Sequence, residues 1–198
     1  MHRRTVLTGL AVLSASPALA QTGAPGVVKV ELTTPEGRFL LELAGDKAPL
    51  TVANFLKYLD AGRYTGGSFY RGVTVPNAPQ LGLVQFGPKP GRYFAPVQHE
   101  PTTQTGLKHL EGTISLARGA LNSGTCDIFI CLADSPYLDA NPAAPGDNQG
   151  FAAFGRVVEG LDIARRIQVM PKSATAENPT MVGQMLEKPV PILTAKRA

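Results

Sequence analysis

Apolar and polar residues alternate through Val27–Thr33 (VVKVELT) and again through Arg38–Ala44 (RFLLELA). A period of two predicts strands with one buried face, and Thr34-Pro35-Glu36-Gly37 between them predicts the turn of a hairpin. The period then changes. Val52, Phe55, Leu56 and Leu59 fall at i, i+3, i+4 and i+7, after Pro49 and before Gly62. This spacing stacks four apolar side chains on one helical face and predicts a helix over 50–61. Beyond Gly66 short apolar runs return, at 68–73, 83–86, 112–118, 127–132, 151–158 and 189–196, and each predicts a strand. Residues 76–82 (PNAPQLG), 88–111 and 134–150 are rich in turn formers and predict loops. A second helix is predicted over 160–168, with Gly160, Ile163, Ala164 and Ile167 on one face. Many short strands, two helices and no internal repeat suit one β-barrel with helices over its openings, with a sandwich as the alternative.

Residues 1–20 do not belong to this pattern. Arg3 and Arg4 precede an apolar stretch from Val6 to about Leu13, and small residues follow up to Ala18-Leu19-Ala20. This three-part order predicts a secretory signal cleaved after Ala20, with residues 21–198 as the mature domain. The paired arginines also suit the twin-arginine route. The expected location is the periplasm, with no stable membrane insertion once the signal is cleaved. The formal charge of +4 drops to +2 without the leader, and the remaining basic residues are scattered. Nucleic acid is therefore not an expected partner.

Cys126 and Cys131 are the only cysteines. Five residues apart in one extended strand, they would lie roughly 16 Å apart, beyond disulfide reach. They read as small structural residues, and no Cys/His cluster suggests a metal. The chain has no G-x-S-x-G, no H-E-x-x-H, no Walker loop and no dinucleotide fingerprint. His99 and His109 fall in loop sequence and read as solvated or locally bonded. Glu100, Asp127, Asp134 and Asp139 show no pairing that suggests acid–base work. What stands out is a few polar residues within apolar strands: Arg71 in SFYR, and Gln85 between Val84 and Phe86. Phe129 lies in an otherwise plain core run.

At these residues the chain resembles the cyclophilin family of peptidyl-prolyl isomerases over about 27–196. The pieces are Ala48–Phe55 (APLTVANF), Phe69-Tyr70-Arg71, Val84–Gly87 (VQFG), Gly112–Arg118 (GTISLAR), Asp127–Ile130 (DIFI) and Phe151–Val157 (FAAFGRV), in the family's order. The resemblance implies a mainly β fold, a closed eight-stranded antiparallel barrel capped by two α-helices, with a proline pocket on its outer face. It implies isomerisation of Xaa-Pro bonds in exported proteins, assisting their folding, with Arg71 as the catalytic residue. Gln85 would bond the substrate backbone. Phe129, Leu138 and Leu83 would wall the proline pocket. Ala117, in the signature that ends at Arg118, would offer backbone contacts to the residue before proline. Tyr137 stands where some members carry Trp, Phe151 where others carry His or Tyr, and Asp127 where others carry Gln or Glu. No cofactor or metal is implied, the partners are proline-containing polypeptides, and the chain is expected to be a monomer. The segment between Arg71 and Gln85 departs from the family: it is longer, and Gly82 stands about where a pocket phenylalanine usually lies. Tyr70 replaces a His, and Phe86 replaces a Gly. A peptide-binding module or chaperone with little turnover is the alternative function.

Overall fold

A computed structural model describes residues 26–91 and 93–198. The predicted signal, 1–20, lies outside the described residues. Nine strands form one antiparallel sheet: β1 (Val27–Thr34), β2 (Gly37–Ala44), β3 (Ser68–Val75), β4 (Ala78–Gly87), β5 (Thr113–Leu116), β6 (Ile128–Cys131), β7 (Ala152–Glu159), β8 (Met185–Pro191) and β9 (Thr194–Arg197). Their order is β8-β3-β4-β6-β5-β7-β2-β1-β9. The helices are α1 (Pro49–Asp60), α2 (Thr102–Thr105) and α3 (Leu161–Gln168).

This corrects the expected barrel in detail. The strand predicted at 189–196 is two strands, and they form the two edges of the curled sheet. Ile192 and Leu193 carry the chain from one edge to the other: β8 pairs with β3, and β9 pairs with β1. The count is thus nine rather than eight, and α2 adds a single helical turn to the two predicted helices.

Alternation decides the layers. Val30, Leu32, Phe39, Leu41 and Leu43 of β1 and β2 point inward and are fully buried. Stacked and tilted rings fill the interior: Phe39 on Phe69 at 5.0 Å, Phe69 on Phe86 at 4.9 Å, and Phe55 on Tyr64 at 4.9 Å. Phe86, where the resemblance places a glycine, belongs to this core. An interior filled in this way leaves no room for a substrate, so any site lies on the outer face. The residues of β5 and β6 are buried on both faces. Ile128 and Ile130 join the main core, whereas Phe129 and Cys131 join a second apolar cluster with Leu138, flanked by Leu83, Ala117 and Phe151. Cys126 sits in the main core just before β6. Both thiols are free, and burial pushes them up, to about 11 and about 12.

The segment expected as a loop at 76–82 is instead a continuation of the β3–β4 hairpin. Pro76 and Asn77 form its tip, Asn77 has φ +63°, and Val75 pairs with Ala78. Gln168 of α3 holds this extension by donating to Val73 O and Leu81 O, both at 2.8 Å. Gly82 is required there: a Cβ would lie 2.1 Å from Val73 O. No side chain can therefore project where the resemblance would place a pocket phenylalanine.

The long 88–111 segment is pinned by Glu100. Its carboxylate is buried and accepts from Leu50 N at 3.1 Å, Thr51 N at 2.8 Å and Thr51 Oγ1 at 2.6 Å. α1 has no side-chain cap from its own N-cap residue, Ala48. A carboxylate from 49–50 residues away therefore satisfies the first N–H groups and suits the positive end of the helix dipole. Among the described residues, no helix is long and apolar enough to cross a membrane.

Candidate active site

The cross-strand register builds the site. Arg71 on β3 lies opposite Gln85 on β4, Gln85 opposite Phe129 on β6, and Phe129 opposite Ser115 on β5. Directly paired residues share a face, so the row runs across the outside of the sheet. Arg71 reaches this face through a β-bulge. Phe69 pairs with Phe86 and Arg71 with Gln85, which leaves Tyr70 as the extra residue. Without the bulge, Arg71 would share the inward face of Phe69. With it, Tyr70 and Arg71 stand side by side on the outer surface.

A polar relay runs along this row. Arg71 Nη1 donates to Gln85 Oε1 at 2.9 Å, Gln85 Nε2 donates to Tyr70 Oη at 2.7 Å, and Tyr70 Oη donates to Asp127 Oδ1 at 2.7 Å. Each donor points the same way, from the cation toward the carboxylate, which suits mutual polarisation. Gly87 admits Asp127 here, because a Cβ on Gly87 would lie 2.4 Å from Asp127 Oδ1. Burial is the main cause of every shift in the relay. It raises the pKa of Tyr70 and of Asp127, and it lowers that of Arg71. Tyr70 therefore keeps its proton at neutral pH, and an arginine remains charged.

Beside the relay is a cleft of about 510 Å³. Arg71, Gln85 and Asp127 form its polar side; Leu83, Ala117, Phe129, Leu138 and Phe151 form its apolar side; Arg118 closes one end. Phe129 and Phe151 meet edge to face at 5.3 Å and 89°. Nine of the ten residues picked from sequence thus line one cleft. Tyr137 does not. The 3₁₀ turn Pro136–Leu138 points Leu138 into the cleft and leaves Tyr137 71% exposed outside it.

Two more cleft features escaped the sequence reading. Met181 contributes an apolar wall from the segment before β8. Gln184, from the same segment, accepts with one oxygen from Arg71 Nε at 2.9 Å and from Arg71 Nη2 at 2.5 Å. Its backbone is fixed by Gly72 N, which donates to Gln184 O at 2.9 Å. No periodicity or motif marks Gln184 in the sequence; only the pairing of β8 with β3 brings it to Arg71. Gln184→Ala should leave the guanidinium held on one side only. We expect kcat on an Xaa-Pro peptide to fall about tenfold while KM changes little, because orientation rather than binding is lost. Steady-state exchange measurements that show only a KM change would refute this role.

Under the cleft floor lies a line of three residues. His109 Nδ1 donates to Asp139 Oδ1 at 2.7 Å, which leaves Nε2 to accept from Ser115 Oγ at 2.9 Å. The order matches a nucleophilic triad, but Ser115 is 0% exposed and His109 1%. Phe129 covers them, with its ring stacked on His109 at 6.0 Å. No carbonyl substrate reaches Ser115, and the trio acts as a buried brace. His109 is thus locally bonded, as expected, but not solvated. Burial lowers its pKa, against the opposing pull of Asp139. The unfolded chain therefore binds a proton first as pH falls. The contribution of His109 is complete above its unfolded pKa, about 6.5, and is lost as pH drops below that value. His99 shifts in the same direction, mainly through burial, and Asp127 contributes with the opposite sign. Replacing His109 isolates its share: the stability lost between pH 7.5 and 5.5, measured by urea unfolding, should be smaller in His109→Asn than in wild type.

A family profile described as cyclophilin type peptidyl-prolyl cis-trans isomerase/CLD matches residues 27–196. The chain belongs to this family. Peptidyl-prolyl cis-trans isomerase A of Dickeya dadantii is 35% identical over 193 residues, covering 96% of this chain and 94% of that protein. A peptidyl-prolyl cis-trans isomerase of Acinetobacter baylyi is 31% identical over 175 residues, covering 87% and 86%. The fold is similar to that of a cyclophilin type isomerase of Cryptosporidium parvum, with a TM-score of 0.63 at 18% identity, covering 87% of this chain and 98% of that one. That protein has also been crystallised in the presence of the dipeptide Ala-Pro, with a TM-score of 0.62. Within this cyclophilin, the departures noted in sequence act together. Tyr70 and Asp127 are hydrogen-bonded to each other, and the lengthened 72–86 segment extends a hairpin away from the cleft.

Proposed function

We propose that this cyclophilin catalyses cis/trans isomerisation of Xaa-Pro bonds in exported polypeptides and so assists their folding. The observation that carries the reading is the row Arg71–Gln85–Phe129, which sets a cation and an amide beside an apolar hollow the size of a few side chains. The proline ring would rest against Phe129, Leu138 and Phe151. The N–H of Ala117 is taken by Asp127 O at 2.8 Å, so its carbonyl is the group available to a peptide N–H.

The chemistry needs no covalent step. An Xaa-Pro amide resists rotation by roughly 18–20 kcal/mol because its nitrogen lone pair is conjugated with the carbonyl. In the twisted transition state that pair is localised on the prolyl nitrogen and becomes a hydrogen-bond acceptor. A fixed guanidinium donor aimed at it stabilises the twisted state more than either planar state. Of the five N–H bonds of Arg71, three are spent on Gln85 and Gln184, and one on each Nη is left for substrate. The partners hold the fork still, so little is reorganised as charge shifts.

The leader sequence and the family together support action in the periplasm, as a monomer on proline-containing chains. The test is exchange NMR on a blocked Xaa-Pro peptide with the mature protein. Saturable acceleration of exchange supports the reading; an unchanged rate with bound peptide reverts it to a binding module.

A further inference from the structure

A second hollow, of about 400 Å³, adjoins the cleft. Arg118 and Phe151 are common to both and form the wall between them. The remaining lining comes from 136–150, the segment that sequence reading left as a polar loop. Tyr137 offers an aromatic ring that is 71% exposed, next to Pro136 and Pro145.

The dividing wall is firmly held. Arg118 donates through Nη1 and Nη2 to the two Asp147 oxygens at 2.6 and 2.8 Å, and through Nε to Gly150 O at 2.8 Å. Its guanidinium lies over the Phe151 ring at 5.6 Å. The cation is therefore spent, and nothing in this wall is left to attract an anion. Asn148 lines the same hollow, and its Oδ1 is the buried side-chain polar atom without a hydrogen-bond partner among the described residues. An unsatisfied buried acceptor is costly unless a donor arrives. The hollow thus combines an apolar rim with an open acceptor. This is the chemistry of a peptide segment: a side chain to cover the ring and a main-chain N–H to donate.

We propose that this hollow is a subsite for the polypeptide flanking the Xaa-Pro pair. It takes an apolar or aromatic side chain against Tyr137 and Pro145, and a main-chain N–H donates to Asn148 Oδ1. The inference rests on the reading of the first cleft as the proline site. A chain whose proline fills that cleft must cross the Arg118–Phe151 wall within a few residues, because an extended strand advances about 3.3 Å per residue.

The probes are Gly-Gly-Ala-Pro-Gly-Gly and four versions with Phe in place of each glycine in turn. Exchange NMR gives kcat/KM for each, and the quantity read is the ratio of a Phe peptide to the all-glycine peptide. Partial burial of one ring should raise the ratio about tenfold at one of the four positions in wild type. Asn148→Gly keeps the backbone at its φ of +60° without strain and removes the acceptor. It should lower the ratio to about threefold, and Tyr137→Ala should lower it to about one. Ratios near one at all four positions in wild type overturn the subsite while leaving the isomerase reading intact. So does a tenfold ratio that persists in both variants, provided their amide spectra remain native. If no peptide is turned over, the isomerase reading fails on its own. The same ratio is then taken from dissociation constants by amide titration, and equal constants for all five peptides overturn the subsite.

Discussion

Arg71→Ala is expected to lower kcat/KM for a blocked Xaa-Pro peptide by roughly 10²–10³, the cost of removing one preorganised donor from a developing acceptor. The loss should fall on kcat. A donor aimed at the prolyl nitrogen has little to bond while the lone pair is conjugated, so it contributes mainly in the twisted state. Arg71→Lys should restore little. An ammonium carries the charge but not the fork, and one nitrogen cannot meet Gln85 Oε1 and Gln184 Oε1 and still face a substrate. The fold should persist in both variants, because Arg71 is only half-buried and water can reach the freed oxygens. Exchange NMR measures the rates, and the amide spectrum checks the fold. An Arg71→Ala protein within about threefold of wild type would end the donor mechanism while leaving the peptide cleft in place.

The sequence made the layers of the fold readable where one period ran unbroken. The alternation of β1 and β2 and the i, i+3, i+4 spacing of α1 describe a buried face that the molecule does bury. It was less readable where tertiary contacts override local signals. Pro76, Pro79 and Gly82 read as a loop, yet Gln168 of α3 ties that stretch into a hairpin. The last strand looked single because no local signal marks Ile192–Leu193 as the place where pairing changes from β3 to β1. For the site, residue identities came from resemblance, and the reason they converge came from register. A bulge at Tyr70 cannot be seen in a period-two pattern, yet without it Arg71 would face the core. The contacts that steady the site join residues far apart in sequence: Arg71 with Gln184, His109 with Asp139, and Arg118 with Asp147. None has a spacing that sequence reading could use. Tyr137 fell outside the cleft because a 3₁₀ turn, rather than a strand or helix, sets its direction.

Phe129→Ala should act differently from Arg71→Ala, and the difference tests how labour is divided across the row. The ring is 3% exposed, stacks on His109 and meets Phe151 edge to face. Its removal opens a cavity between the cleft floor and the Ser115–His109–Asp139 brace. Large-to-small substitutions of a buried Phe cost about 3–5 kcal/mol. For a domain of this size, that corresponds to a fall in Tm on the order of 10 °C, read by thermal unfolding. Activity measured well below that Tm should show KM raised about tenfold, since an apolar floor grips the proline ring with a contact worth about 1–2 kcal/mol. The ring lies against proline in the planar and twisted states alike, so kcat should stay within about threefold. Phe129→Leu keeps most of the volume and should give intermediate values for both Tm and KM. A kcat loss as large as that of Arg71→Ala, with KM unchanged, would mean that the floor orients the reacting bond instead of merely holding the ring. Phe129 would then belong with Gln184 among the residues that position the reaction.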